Sequence, residues 1–137
     1  MKQRSKSELT LSLEQLQRGE FTGNTHSLLH EFGEADFQVA AQTVAEYLTN
    51  PDPGLRFIAL SVLTLHWRRP EYRIAAERML SDPDADVRRM AADALGVLAQ
   101  NTRDPRVLSL LLSRIDDSAE EWHVRDTACS PFLRCSV

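Results

Sequence analysis

The sequence predicts an all-α repeat fold, and three observations support this prediction. Residues 81–98 carry a single apolar stripe at helical spacing, two other stretches of the chain resemble them, and an amphipathic stretch precedes each of the three copies. The stripe recurs at i, i+4, i+7, i+8 and i+11, and its members are Val87, Ala91, Ala94, Leu95 and Leu98. Because similar units recur about every 35 residues, the chain has the period of a repeat architecture.

The three copies share the pattern acidic-x-x-(Leu/Val)-Arg-x-x-Ala. Arg56 and Arg88 lie 32 residues apart, and Arg88 and Arg125 lie 37 residues apart. In the central copy, Asp82 is predicted to cap a helix that Pro83 begins. The small side chains of the stripe favour helix packing over a pocket.

A second amphipathic helix is predicted before each copy. These helices cover residues 37–48, 70–80 and the stretch that begins at Asp104-Pro105, and the connections between helices are short. Short connections are typical of antiparallel helix pairs. Strand-like alternation is limited to Leu9–Leu13, so no sheet is expected.

The first 33 residues are predicted to form two further helices. Ser12 begins a capping-box pattern for a short helix that Gly19 ends. Asn24 is predicted to cap the next helix, and Gly33 to end it.

Composition excludes some classes of function. The 137 residues include 16 Lys+Arg and 20 Asp+Glu, a net charge of −4, which argues against a dedicated nucleic-acid or membrane surface. The start of the chain does not resemble a signal peptide. The two cysteines, Cys129 and Cys135, both lie near the C-terminus, so a cytoplasmic location is expected.

The pattern from Asp84 to Gly96 resembles a HEAT-like repeat, of the short bacterial kind found in phycobilisome-lyase relatives. This resemblance implies a right-handed α-solenoid, an α-α superhelix of stacked antiparallel helix pairs. It also implies a non-catalytic scaffold that binds a partner protein on its concave face.

We expect one HEAT-like domain over residues 1–137. Its parts are N-terminal capping helices (1–33), three repeats (34–68, 70–100 and 104–130) and a C-terminal tail (131–137). Pro131 interrupts the third copy, whose second helix is expected to be kinked or to end near Cys129.

Each copy places an acid four residues before its arginine. The pairs are Asp52/Arg56, Asp84/Arg88 and Glu121/Arg125. Stacked repeats would align the pairs as a structural ladder. The alternative is a row of arginines that binds a ligand.

Partner-binding residues are expected on the opposite face of the same helices, which the resemblance places on the concave surface. They are Phe57, Ser61, Thr64, Arg68, Arg89, Asp93 and Gln100. An exposed Phe57 near arginines has the composition of an interface hot spot. The alternative is that Phe57 packs on the preceding repeat. Trp67 and Trp122 are expected to pack in the core or between repeats.

The remaining candidates give weaker signals. His26 and His30, followed by Glu31, have a spacing that can hold zinc, and His-Glu pairs bind iron in some HEAT-like hydroxylases. His66 and His123 are not followed by glutamate, so no metal and no cofactor are predicted. Phe132 and Leu133 are predicted either to fold back as a lid or to support end-to-end self-association.

Taken together, these patterns predict a protein that is not an enzyme. Two alternatives stay open. One is an enzyme or enzyme subunit, either similar to bilin lyases or metal-dependent through His26 and His30. The other is a nucleic-acid binder similar to HEAT-like DNA glycosylases.

Overall fold

A computed structural model describes residues 3–99, 104–117 and 119–135 of the chain. Within these ranges there are eight α-helices and no β-strand, so the prediction of an all-α fold is confirmed. The chain divides into two compact units, Met1–Trp67 and Arg68–Val137. The predicted division into capping helices, repeats and tail stays a prediction.

The helices follow one another with short connections. They are α1 (Lys6–Gln17), α2 (Thr25–Glu34), α3 (Ala41–Glu46), α4 (Pro53–Ser61), α5 (Arg73–Met79), α6 (Ala85–Leu98), α7 (Pro105–Ile115) and α8 (Trp122–Cys135). Single 3-10 turns flank α3 at Gln38–Ala40 and Tyr47–Thr49, and another precedes α5 at Pro70–Tyr72. A π turn, Val62–His66, continues α4. No helix in the described part of the chain combines the length and the apolar character that a membrane crossing needs.

In the first unit, α2 packs against α4 and its π turn. Completely buried side chains fill this contact, and they include Leu28, Leu29, Phe32, Leu60 and Leu63. Gly33 is buried within α2, where a Cβ atom would lie 2.9 Å from Cγ2 of Val62. The prediction that Gly33 ends this helix is therefore wrong, because α2 continues to Glu34. The glycine instead lets α2 approach the π turn closely. Asn24 caps α2 as predicted, since its side chain accepts a hydrogen bond from the N–H of Ser27 at 2.9 Å.

Helix α1 begins seven residues earlier than the sequence pattern indicated. Ser5 is its N-cap and accepts a hydrogen bond from the N–H of Glu8, whereas Ser12 is buried within the helix. Leu9 and Leu13 are buried and Leu11 is exposed, which is the spacing of one helix face. The strand-like alternation of these leucines therefore concealed a helical stripe. Gly19 follows the helix at φ +72°, and so it ends α1 as predicted.

In the second unit, α6 packs against both α5 and α8, and α7 packs against α8. Four of the five residues of the predicted α6 stripe, Val87, Ala91, Ala94 and Leu95, have no exposed surface, and Leu98 is half-buried. The predicted start of α6 is wrong. Its N-cap is Asp84, which accepts a hydrogen bond from the N–H of Val87 at 3.1 Å. Asp82 instead accepts a hydrogen bond from the N–H of Asp84 and so orders the preceding turn.

The last helix is longer than expected. Of the two expected outcomes, an end near Cys129 is wrong, because α8 continues through Pro131 to Cys135, and a kink at Pro131 stays a prediction. A proline at this position lacks the backbone N–H that would bond to the carbonyl of Thr127, and its ring crowds that carbonyl. The side chains of Phe132 and Leu133 lie outside the described part of the chain, so the lid and the self-association stay predictions.

Candidate functional site

The repeated acid of each copy lies where its second helix begins. The side chain of Asp52 accepts a hydrogen bond from the N–H of Gly54 at 2.9 Å and caps α4, as Asp84 caps α6. Glu121 directly precedes the first residue of α8. An acid at this position satisfies backbone donors that a helix leaves unpaired at its start.

The repeated arginine of each copy donates hydrogen bonds to backbone carbonyls that precede its helix. Arg56 donates through Nη1 to the carbonyls six and five residues earlier, at 2.8 and 3.0 Å. Arg88 makes the same two bonds at 2.8 and 3.2 Å. Arg125 donates through Nε to the carbonyl of Ile115 at 2.8 Å. Arg56 and Arg88 therefore hold the entries to α4 and α6 in place, whereas Arg125 joins α8 to the last residue of α7.

Arg88 also binds a carboxylate of the next helix pair. Its Nε lies 2.8 Å from Oε2 of Glu120, and its Nη2 lies 2.7 Å from Oε1. The side chains are 18% and 2% exposed, respectively. Arg114 of α7 lies 3.6 Å from the same carboxylate. This ion pair joins α6 to the connection before α8.

The charges of this cluster shift the pKa of both principal partners. Burial raises the carboxyl pKa of Glu120, but the hydrogen bonds from Arg88 and from the N–H of Glu121 outweigh burial, so that the pKa lies below its ordinary value. The hydrogen bonds to Glu120 raise the pKa of Arg88 above its ordinary value. The pair is therefore fully charged at neutral pH.

Sequence reasoning missed Glu120, which adjoins the predicted Glu121. The acid spacing pointed to Glu121, whose distance from Arg125 matches the other copies, and nothing in the pattern marked its neighbour. The carboxylate that binds Arg88 comes from the following helix pair and not from the predicted partner Asp84. The alignment of all three predicted pairs as one ladder stays a prediction.

A second buried carboxylate joins α5 to α7. Glu77 is almost fully buried, and its Oε2 lies 3.0 Å from Nη2 of Arg106. Arg73 lies 3.8 Å from the other oxygen of Glu77 and 3.2 Å from Asp104, the N-cap of α7. The only sequence signal for this network is the i,i+4 spacing of Arg73 and Glu77.

The predicted partner-binding face requires a correction at two residues. Thr64 has no exposed surface and donates to the carbonyl of Leu60 at 2.6 Å, and Ser61 is buried. Both were expected to point away from the core. Residues 58–64, from the end of α4 into the π turn, are nearly all apolar and are all buried, so no side is left for a polar face there. The π turn, in which the N–H of Trp67 bonds to the carbonyl of Val62, also shifts the helical phase after Ser61.

The other predicted contact residues retain some accessible surface. Phe57 on α4 and the α6 residues Arg89 and Asp93 are half-buried. Arg68 is exposed, with φ +50°, where the chain leaves the π turn. Gln100 lies outside the described residues.

The candidate metal-binding residues take part in other contacts. Nε2 of His30 lies 3.5 Å from Glu34, and its ring packs edge-on against that of His66 at 6.1 Å. Glu31 forms an ion pair with Arg4. Over the ranges that the structure describes, no three His, Cys, Asp or Glu side chains are grouped to hold a metal ion. Absence of a metal and of a cofactor stays a prediction.

The two tryptophans differ in exposure. Trp67 is buried, as predicted, but Trp122 is 76% exposed, so the prediction of a packed Trp122 is wrong. Trp122 is the first residue of α8. Trp122 lines an open depression together with Ile115, Arg125, Asp126 and Cys129.

The repeated cap and arginine agree with a comparison against known families. A family model of HEAT repeats matches residues 41–130. The chain belongs to the HEAT-repeat family. The match begins at α3 and extends into α8, so it includes all three copies of the acid–arginine pattern. A search of curated proteins finds no match to this HEAT-repeat protein. Its assignment to the phycobilisome-lyase type stays a prediction.

Proposed function

We propose that this HEAT-repeat protein is a non-catalytic scaffold that binds another protein. HEAT repeats generally mediate protein interactions. The observation that carries the proposal is the exposed indole of Trp122, which lies beside Arg125 and Ile115. Tryptophan and arginine are the side chains that most often dominate the binding energy of protein interfaces.

Two surfaces are candidates for the contact. The first is the predicted concave face, of which Phe57 in the first unit and Arg68, Arg89 and Asp93 in the second keep accessible surface, whereas Ser61 and Thr64 are buried. The second is the surface around Trp122. We favour the second because a large aromatic side chain in solvent loses more water-exposed apolar area on binding than half-buried side chains do.

We expect Trp122→Ala to reduce capture of the partner from native lysate about 30-fold, the loss typical of a hot-spot residue. Tagged full-length protein serves as bait, and quantitative mass spectrometry compares the captured proteins. Because the indole is mostly in solvent, the circular-dichroism spectrum and the melting temperature should stay close to those of the wild type. Ile74→Ala, which removes an exposed side chain of α5, is the matched control and should retain capture.

A double variant, Phe57→Ala/Arg89→Glu, tests the concave face in the same assay. Loss of capture by this variant alone would assign the contact to that face. Equal capture by every variant would contradict both surfaces. A captured nucleic acid that dissociates as salt is raised would favour the nucleic-acid alternative over a protein scaffold.

A further inference from the structure

Three unfavourable features follow one another at the end of α4, within residues 62–68. The first is the π turn Val62–His66, in which the N–H of Trp67 bonds to the carbonyl of Val62 at 3.0 Å. Such turns are rare within helices and frequently lie at functional sites. The two residues that follow the turn, Trp67 and Arg68, carry the other two features.

Trp67 is buried without a partner for its polar atom. Its side chain is 6% exposed, and no residue in the described part of the chain accepts a hydrogen bond from its indole N–H. A buried donor normally has a partner, because water no longer replaces the missing bond. An indole in solvent would donate this bond to water. The buried position of Trp67 therefore carries a free-energy penalty that an exposed position lacks.

Arg68 has a backbone conformation that its side chain disfavours. Its φ of +50° lies in the left-handed region, where the Cβ atom comes too close to the following carbonyl oxygen. Over the ranges that the structure describes, the other residues with positive φ are Asp36 and Gly19, whose residue types adopt this conformation more readily. Strain of this kind persists only where the surrounding structure holds it, and it is common in switch regions.

A regular α-helix would remove all three features. In that register, the N–H of Trp67 would bond to the carbonyl of Leu63 instead of that of Val62. Trp67 would turn by about 100° around the helix axis, which is the angle between successive residues of an α-helix. This rotation would take the indole away from its buried position, and Arg68 would adopt a right-handed conformation.

Packing favours the π turn over this alternative. Gly33 of α2 leaves room for the turn, since a Cβ atom there would lie 3.3 Å from Cγ of His66. The indole of Trp67 also buries a large apolar area. These contacts oppose the penalties at Trp67 and Arg68, so the two registers differ less in free energy than packing alone would make them differ.

We propose that residues 62–68 switch between the π-turn register and a second, α-helical register in which Trp67 lies in solvent. The second register is the minor state. This proposal goes beyond the scaffold function and does not depend on it. Because Arg68 is one of the expected partner-binding residues, a partner that binds Arg68 in one register alone would shift the equilibrium.

Fluorine NMR of Trp67 tests the proposal. The full chain carries Trp122→Phe, which leaves Trp67 as the single tryptophan, and is labelled with 5-fluorotryptophan. Saturation transfer detects exchange with states that are too rare to give a visible signal. We expect exchange between a buried major state and a solvent-exposed minor state that is populated to about 0.1–10%. Urea should change this population little, because the switch exposes far less surface than unfolding does.

Arg68→Gly tests whether the strained residue drives the exchange. Glycine relieves the strain of the π-turn register and disfavours the α-helical register, so the minor state should become at least about fivefold less populated. Arg69→Gly is the matched control. Arg69 is the neighbouring arginine, but its φ of −84° is ordinary, and its replacement should change the population less than about twofold.

The proposal is overturned if Trp67 gives a single signal without exchange. It is also overturned if the minor state grows with urea as steeply as the unfolded state does, or if Arg68→Gly lowers its population no more than Arg69→Gly does. These outcomes would leave the scaffold function untouched, because that function is tested by capture of a partner.

Discussion

Replacing Glu120 with alanine is expected to lower the free energy of unfolding by about 3 kcal/mol. The carboxylate is 2% exposed and is bound by Arg88 and Arg114, so its removal leaves two arginines without their buried counter-charge. We take the lower end of the range for broken buried pairs because Arg88 keeps some contact with solvent. Urea denaturation followed by circular dichroism at neutral pH measures the change.

Glu121→Ala is the matched control for this prediction. Glu121 is the acid that the repeat pattern selects, but its side chain is exposed, and we expect a loss below about 1 kcal/mol. Equal losses in the two variants would mean that Glu120 is not the residue that joins the helix pairs.

Replacing Phe32 with alanine is expected to cost about 3–5 kcal/mol of stability. Phe32 has no exposed surface and stacks on Phe37 with ring centroids 5.4 Å apart, so truncation leaves a cavity in the core of the first unit. Thermal unfolding should show a correspondingly lower melting temperature. Leu11→Ala removes an exposed side chain from the neighbouring α1 and should change stability by less than about 0.5 kcal/mol. Similar losses in both variants would contradict the packing described for this unit.

The elements that sequence predicted best are those whose signals are local. Asn24 caps α2 and α7 begins after Asp104, both as predicted, because a helix start depends on the chain immediately after it. The stripe on α6 was equally clear because its five members share one face. In contrast, the capping-box pattern predicted a helix start at Ser12, which is wrong. The alternating leucines resemble a strand and so obscured the helix that begins after Ser5.

The errors at the candidate site have a common cause, which is that burial and pairing depend on neighbouring elements. Helical spacing predicted that Ser61 and Thr64 lie on an exposed polar face. Both are buried instead, Ser61 at the end of α4 and Thr64 in the π turn that follows. The repeat spacing selects Glu121, and only the path of the connection before α8 brings its neighbour Glu120 to Arg88. Trp122 has a large apolar side chain of the kind that usually packs in a core, yet this first residue of α8 is mostly exposed to solvent.

The central claim is that Arg88 joins its HEAT helix pair to the next pair through the buried carboxylate of Glu120. A double-mutant cycle across Arg88 and Glu120 tests it most directly, with unfolding free energies measured for Arg88→Met, Glu120→Leu and the double variant. We predict a coupling energy of about 2 kcal/mol, so that the double variant loses clearly less stability than the sum of the two single variants. Additive losses, within about 0.5 kcal/mol, would contradict the claim.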